Sequence, residues 1–515
     1  MAEGDNAKPT GSPEGLGTAV ARNILVSMLG FAWPVALLVV STPIVFRGLG
    51  DAGFGVWSLV GNVIGYLGIF NSLQTAGTKY LAEYLAINDR VAIRRLLGTS
   101  LIFNLAMGIL GGAAIFAMAY PLATRWLVIP QELQREALTA FRIAGFGFFV
   151  NAIGWWGASI LAGAQRYDWL AGIISGTATV AAVGSIVAVE WHFGVVGVAI
   201  ANVFSAALAT GLYAWAGHRV LGAAGLAMEF DSAMLRHVLS YGMFSTLHVI
   251  FGVITTQLDR TLLGVWVGAA AVALYSIPLS VATRVHQFAG SALEVVLPLA
   301  SAIKGGGDGN EKTGRLFIRM QSVNLVLVLV FATPILALAP QILSVWIGAT
   351  FAHGASHIFQ LLVIAYLLLG VSVAASGIVA GVGHPEVNAG FAAALGIANG
   401  IGYVAFIPRW GAVGAAAASA IGSVVAVPLF LWYVRRRFLG VGWIVIFREA
   451  FARPVGAAIP IGLLTFTARS LVTSLFSLAV VAAISCLAYL GLAAVFGVWH
   501  PRHVPLLNRA WAAVH

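Results

Sequence analysis

A stripe of polar side chains runs through the apolar segment at residues 271–300. Its members recur at spacings of three or four residues, which places them on one face of a helix. On a membrane-length helix such a stripe must face protein or water, and ionisable groups there are costly and mark functional sites. We therefore predict that it lines a cavity. The stripe consists of Ser276, Ser280, Arg284, Gln287, Ser291 and Glu294.

A structural role for Arg284 is the alternative. Its guanidinium would then be neutralised by Glu294, at the end of the same stripe, or by Asp259 on the preceding helix. The other polar groups would form hydrogen bonds between helices.

A second polar set lies on the preceding helix, at 239–265. His248, Thr255 and Asp259 follow helical spacing, whereas Arg260 is turned about 100° from Asp259 because adjacent helical residues do not share a face. We predict that His248 and either Asp259 or Arg260 contribute to the cavity. The alternative places the Asp259–Arg260 pair at the outer end of the helix, partly solvated.

Four charged residues lie at the ends of the first two apolar segments. Arg22 begins the first segment and is either a cavity residue or an anchor at the membrane surface. Lys79 and Glu83 follow the second segment and form either a ligand contact or a structural salt bridge. Arg47, in the turn between the segments, is predicted to be a gate or rim residue.

Composition excludes a water-soluble fold. Hydrophobic residues make up 60% of the 515 and charged residues 9%, against about 25% charged in soluble domains. The net charge of +10 is spread between apolar segments, which argues against nucleic-acid binding. Cys486 is the single cysteine, so neither a disulfide framework nor a cysteine metal site is possible, and no cofactor is expected.

Fourteen apolar segments approach the roughly 20 residues that a helix needs to cross a bilayer. An all-α polytopic membrane protein is therefore predicted. The segments lie at 22–45, 53–72, 97–120, 139–162, 169–190, 195–216, 239–265, 271–300, 318–338, 357–381, 387–407, 412–434, 454–472 and 474–498.

Basic residues indicate the orientation of these spans. With the N-terminus inside, twenty Lys and Arg residues fall on the inner side and six on the outer side. The positive-inside rule then places both termini in the cytoplasm.

The chain repeats itself at an offset of 218 residues. Gly50 meets Gly268, and LAGAQRYDWLAG at 161–172 meets VAGVGHPEVNAG at 379–390. FGVVGVA at 193–199 meets WGAVGAA at 410–416, at an offset of 217. Two six-helix bundles follow, and because each holds an even number of spans, the pseudo-two-fold axis between them runs along the membrane normal.

This repeat divides the chain into five parts, with the last two helices outside it. They are a cytoplasmic tail at 1–21, an N-terminal lobe at 22–219, a cytoplasmic linker at 220–238, a C-terminal lobe at 239–437, and helices 13 and 14 with the C-terminal tail at 438–515.

Four stretches resemble the Wzx-type polysaccharide flippases of the multidrug/oligosaccharidyl-lipid/polysaccharide (MOP) exporter superfamily. They are ARNILVSML at 21–29, FRGLGDAGFGVWSL at 46–59, LDRTLLGVWVGAAAVALYSI at 258–277, and the G-x-x-G starts of the sixth and twelfth spans. The resemblance implies a MATE-like fold with a cationic cavity for a diphosphate head group. It also implies translocation of a polyprenyl-diphosphate-linked oligosaccharide across the bacterial inner membrane by alternating access. Because a guanidinium at membrane depth is costly and its five donors suit a diphosphate, we predict that Arg284 binds the diphosphate.

Two other functions stay open. An ion-coupled multidrug or cation antiporter of the same fold predicts an acidic, aromatic cavity, whereas this stripe contains Arg284. A membrane glycosyl-transferring enzyme usually displays a large outer loop, and no outer loop here is long enough.

The energy source and the partners are expectations of the same kind. The chain lacks a G-x-x-x-x-G-K-[ST] phosphate loop, so coupling to an H⁺ or Na⁺ gradient, or to removal of the product, is expected. The expected partners are membrane lipid, the polyprenyl-diphosphate-linked glycan, and the glycosyltransferases and repeat-unit polymerase of the same pathway.

Reporter fusions test the span count. A fusion after Arg409 should report the outer side and a fusion after Arg453 the cytoplasm, because one predicted span separates them. The same side for both would show that the count is wrong.

Overall fold

The computed structural model describes residues 13–68, 72–222, 229–293, 296, 300–301 and 310–498. Within these ranges the side chains at 13–32, 72–75, 240–251, 254–255 and 291–292 are not described. All regular structure in the described ranges is helical.

Fourteen helices make up the described chain. The stretch Pro13–Tyr66 divides at Gly50 into α1 (13–49) and the first part of α2 (51–66), and α2 continues in Ser72–Ala86. Pro385–Phe438 divides at Gly411 into α11 (385–410) and α12 (412–438). The others are α3 Arg90–Pro121, α4 Gln131–Gly163, α5 Tyr167–Glu190, α6 Gly194–Leu221, α7 Ser232–Trp266, α8 Ala269–Ala292, α9 Asn310–Trp346, α10 Ala349–Gly381, α13 (443–467, with a π-helical turn at Phe447–Phe451) and α14 Leu475–Val495.

Ten helical stretches in the described ranges are long and apolar enough to cross a membrane. Two of them, Trp33–Tyr66 and Pro385–Phe438, contain the breaks at Gly50 and Gly411. α7 and α8, which carry the two polar sets, are the other long helices of the described bundle. The prediction of an all-α, multi-pass membrane protein is confirmed.

Two helices begin earlier than the sequence indicates. α1 starts at Pro13, inside the predicted tail, and α7 starts at Ser232, inside the predicted linker. At α7 the Asp231 carboxylate accepts hydrogen bonds from the N–H groups of Ala233 (2.8 Å) and Met234 (3.5 Å). This N-cap begins the helix before its apolar part, which apolar patterning alone does not detect.

The helix boundaries follow the 218-residue repeat. α4 and α10 begin 218 residues apart and end 218 residues apart. Gly194 and Gly411 both have left-handed backbone, with φ of 58° and 55°, a conformation that glycine adopts without a steric penalty. The repeat also includes a side-chain contact: Arg166 contacts Asp168 in the first copy, and His384 contacts Glu386 at the corresponding positions of the second.

Consecutive spans run in opposite directions, so their turns fall at two ends of the bundle. We call the end with the turns at Gly50, Gly194, Gly268, Gly348 and Gly411 the Gly50 end. We call the end with the segment at 229–231 and the turns at 87–89, 164–166, 382–384 and 439–442 the linker end.

Backbone groups join the two lobes at the Gly50 end. Val128, in the N-terminal lobe, donates its N–H to Gly264 O at 2.8 Å and accepts from the Ala269 N–H at 3.1 Å. Gly55 on α2 packs so closely on the start of α8 that a Cβ there would overlap the carbonyl of Ala269. Such approach through small residues is the usual means of holding membrane helices together.

Side chains complete this contact between the lobes. Trp346 Nε1 donates to Val39 O on α1 at 2.7 Å. The rings of Phe46 and Phe351 meet edge to face, with centroids 4.9 Å apart. The largest buried apolar cluster includes residues of both lobes around these contacts, so the Gly50 end is sealed between the lobes.

Apolar packing is separate for each lobe at the linker end. One cluster joins α8, α9, α10 and α12 to α13 and α14, and two others join helices of the N-terminal lobe. Among the described side chains, no apolar cluster there contains both α8–α12 and the N-terminal lobe. In the described part of the chain the apolar contacts between the lobes are therefore concentrated at the Gly50 end. We call the region between the lobes at the linker end the crevice.

α7 passes from one lobe to the other. At the linker end Arg95 of α3 lies 3.5 Å from Asp231, and Tyr80 of α2 stacks near His237 with ring centroids 4.6 Å apart. Towards the Gly50 end α7 packs on α8 and on the 385–438 helices. α13 and α14 pack on α9, beside the C-terminal lobe.

Gly55→Ala tests the close packing of the two lobes at the Gly50 end. Its methyl group would overlap the Ala269 carbonyl, so we expect a loss of about 1–3 kcal/mol in stability, as for overpacked cores. Gly61→Ala is the matched control on the same helix, because no atom lies within 4 Å of a Cβ there. Thermal unfolding in detergent should show a lower midpoint for Gly55→Ala alone; equal midpoints for the two variants would contradict this packing.

Candidate functional site

One face of α8 forms a wall of the crevice. Ala269 begins this face in contact with Gly55 of the other lobe. Gln287 lies eighteen residues after Ala269, which is five helical turns, so the two residues point in the same direction from the helix axis. Arg284 lies about 60° around the helix from Gln287. The opposite face of α8 is buried, with Ala282, Val285 and Ala289 at 0%, 3% and 0% exposed.

Arg284 is half-buried on this wall and is weakly partnered. Its Nη1 donates to Gln287 Oε1 at 2.9 Å, and its buried Nε has no hydrogen-bond partner. The structure records no ion pair between Arg284 and a described carboxylate. A guanidinium has five donors, so the described residues use only a small part of the hydrogen-bonding capacity of Arg284.

The position along α8 places Arg284 within the membrane, nearer to the linker end than to the Gly50 end. It lies fifteen residues after Ala269, about 22 Å from the Gly50 end at 1.5 Å per residue. Since the hydrocarbon core is about 30 Å thick, this depth lies within the membrane and towards the linker end. Gln287 beside it is exposed, whereas Glu294 lies outside the described residues.

Asp259 is a buried group of the C-terminal lobe. It is 3% exposed and accepts a hydrogen bond from the Tyr275 hydroxyl at 2.7 Å. Its Oδ1 lies 3.7 Å from Arg260 Nε. The alternative of a partly solvated Asp259 is therefore wrong, and the carboxylate bonds Tyr275 and Arg260 instead of Arg284.

Arg260 is held by neighbours on its own helix. One of its Nη atoms donates to Thr256 O at 2.7 Å and to Gln257 Oε1 at 2.5 Å. Gln257 in turn packs on Gly65 of α2, in the other lobe. Arg260 therefore lies between the lobes, but with its charge largely compensated.

A polar layer between α2 and α7 lies close to Arg260. Asn62 Nδ2 donates to Thr261 Oγ1 at 2.8 Å, and the Tyr66 hydroxyl lies 2.8 Å from the same oxygen. The sequence analysis missed this layer, because nothing in the α2 pattern distinguishes Asn62 and Tyr66 from packing residues. The layer marks the boundary between the sealed Gly50 end and the crevice.

The remaining predicted site residues lie elsewhere. Lys79 and Glu83 are exposed near the linker end of α2, and the Lys79 ammonium lies 4.9 Å from the Tyr80 ring centroid. Arg47 is exposed beside the Gly50 turn. The side chains of Arg22 and His248 lie outside the described part of the chain.

Comparison with known proteins gives the family. Residues 44–355 match the family model "Polysaccharide biosynthesis protein", which is more than half of the chain. The protein belongs to this family. Over 439 residues it is 21% identical to the "Putative O-antigen transporter" of Shigella flexneri, covering 81% of this chain and 98% of that protein.

Solved structures share the fold at low sequence identity. An inward-facing multidrug resistance MATE transporter of the MOP superfamily gives a TM-score of 0.70 at 17% identity, over 78% of this chain and 94% of that one. The lipid II flippase MurJ in an inward closed conformation gives 0.68 at 16% identity, over 92% and 98%. An outward-facing MATE structure gives 0.58 at 17% identity, over 82% and 96%. The predicted MATE-like fold is confirmed.

Tyr275→Phe tests whether the hydrogen bond from the Tyr275 hydroxyl stabilises the buried Asp259 carboxylate. Loss of the hydroxyl leaves a buried carboxylate with one donor fewer, which should cost about 1–3 kcal/mol. Tyr366→Phe is the control, because the Tyr366 hydroxyl makes no hydrogen bond to a described residue. The unfolding midpoint should fall for Tyr275→Phe only, and a similar fall for both would show that ring packing matters rather than this bond.

Proposed function

We propose that this protein is a flippase that carries a polyprenyl-diphosphate-linked oligosaccharide from the cytoplasmic to the outer leaflet of the bacterial inner membrane. The linker end would face the cytoplasm, as would both termini, in agreement with the distribution of basic residues. The observation that carries the proposal is Arg284, a half-buried guanidinium on the crevice wall without an ion-pair partner among the described residues.

A cation at this depth favours an anionic substrate. An arginine at the bilayer centre costs about 2.5–3.5 kcal/mol on insertion scales, and Arg284, which lies off the centre, bears part of that cost. A diphosphate offsets that cost because its oxygens accept charge-assisted, often bidentate hydrogen bonds from a guanidinium. The sugar would follow the diphosphate into the crevice, while the polyprenyl chain stays in lipid between the lobes.

Translocation would use alternating access. With the contacts between the lobes concentrated at the Gly50 end, the present arrangement would take substrate from the cytoplasmic leaflet. The greater likeness to the inward-facing than to the outward-facing MATE structure supports this assignment of the ends. Breaking the seal and closing the linker end would then release the substrate on the other side.

The names of the relatives support a lipid-linked substrate. One is described as an O-antigen transporter and another as a lipid II flippase. A drug or cation antiporter is less favoured, because the buried Asp259 is bonded to Tyr275 and Arg260 and so offers no free acid to a cation. Coupling to an H⁺ or Na⁺ gradient, and supply of substrate by glycosyltransferases and its use by a repeat-unit polymerase, belong to the same proposal.

Arg284 variants test this function. Arg284→Lys should keep part of the flipping activity, whereas Arg284→Ala and Arg284→Glu should abolish it without loss of membrane insertion, because the diphosphate loses its donors. Arg142→Ala is the control, since Arg142 is exposed on α4 and stacks on Phe116. Flipping is measured with purified protein in vesicles that contain a polyprenyl-diphosphate-linked oligosaccharide.

A double variant separates binding from simple charge balance. If Arg284 only neutralises Glu294, then Arg284→Gln combined with Glu294→Gln should restore flipping. Full rescue in the double variant would overturn the role of Arg284 in substrate binding.

A further inference from the structure

Arginines converge on a pocket outside the crevice, where the linker end of α9 meets α13 and the end of α14. The pocket has a volume of about 510 Å³. Basic residues at the ends of membrane helices are common, but Arg315, Arg319 and Arg453 share one concave site. Its polar lining consists of Arg315, Arg319, Ser322, Glu449, Arg453 and the backbone of Gly497.

Two helical faces and one turn build this pocket. Arg315, Arg319 and Ser322 are spaced by four and three residues, so they lie on one face of α9. Arg453 follows Glu449 by one helical turn at the start of α13. Gly497 has a left-handed backbone with φ of 72°, and its carbonyl accepts a hydrogen bond from Arg453 Nη1 at 3.4 Å.

The charge in the pocket is only partly balanced. Glu449 supplies one negative charge against three arginines in the lining, and Glu311 pairs with Arg315, with Nη1 and Oε1 2.6 Å apart. Arg453 uses one donor on Gly497, and Arg319 makes no hydrogen bond or ion pair with a described residue. The described residues therefore use few of the donors of Arg319 and Arg453. Planar guanidinium groups with free donors match the oxygens of a phosphate.

Exposed apolar side chains lie on α13 and α14, two of the helices that meet at the pocket. On α13 the side chains of Ile459 and Leu463 are 60% and 64% exposed, and on α14 those of Ile484 and Leu487 are 61% and 69% exposed. A ligand with its head group in the pocket would have this surface available for hydrocarbon chains.

We propose that this arginine pocket binds the phosphate head group of a membrane lipid. An anionic phospholipid and a polyprenyl diphosphate share this chemistry. The pocket is separate from the Arg284 wall, so it stands independently of the substrate assigned to the crevice.

Native mass spectrometry of the purified full-length protein tests the pocket. The probes are phosphatidylglycerol, undecaprenyl diphosphate and the zwitterionic phosphatidylcholine, each added separately. Arg319→Gln and Arg453→Gln should each weaken binding of an anionic probe about fivefold, the value of about 1 kcal/mol for one basic side chain at an anionic lipid surface. Arg319→Lys should lose less, because it keeps the charge.

Arg437→Gln is the matched control, an exposed arginine at the same end of the bundle that does not line the pocket. Weakened binding of both anionic probes in the pocket variants alone supports a general phosphate site. Weakened binding of undecaprenyl diphosphate alone supports a site for the lipid diphosphate. Equal weakening by Arg437→Gln, or no preference for anionic over zwitterionic lipid in the unaltered protein, would overturn the proposal.

Discussion

The rest of the structure depends on the close approach of the two lobes at the Gly50 end. Lipid chains are as apolar as helix surfaces, so burial of apolar area does not drive membrane helices together, and close packing and satisfied backbone groups must do so. Gly55 supplies the close packing on Ala269, and Val128 supplies the backbone hydrogen bonds. Because the described contacts between the lobes are concentrated at this end, the proposed substrate site at Arg284 lies towards the other end.

The two intramembrane arginines, Arg260 and Arg284, differ in the partners that surround their charges. Arg260 lies beside the buried Asp259 and is bonded to Thr256 and Gln257, so its charge stabilises the contact between α2 and α7. Arg284 lies nearer the linker end, and its one side-chain partner among the described residues is a neutral amide. An anionic ligand gains more from the second arrangement, because no described carboxylate competes for the guanidinium.

The fold was largely predictable from the sequence, because bilayer thickness fixes the length of a span and the repeat fixes the pairing of the two lobes. The polar face of α8 was predictable from spacing alone. The hydrogen bond from Tyr275 to Asp259 was not predictable, since Tyr275 lies on the next helix and its sequence position is typical of a packing residue. The contact of Trp346 with Val39 joins residues 307 positions apart, and no local pattern indicates it. The arginine pocket was missed for a similar reason, since α13 and α14 have no counterpart in the repeat.

The central claim is that the lobes seal one end at a time around the substrate. Distances between spin labels on cysteines test it most directly, in a Cys486→Ser background that removes the native thiol. Glu132 and Thr350, exposed and related by the repeat, report the Gly50 end, and Asp168 and Glu386 report the linker end. Addition of a polyprenyl-diphosphate-linked oligosaccharide should lengthen the Glu132–Thr350 distance and shorten the Asp168–Glu386 distance. Unchanged distances, or changes of the same sign at both ends, would contradict the account.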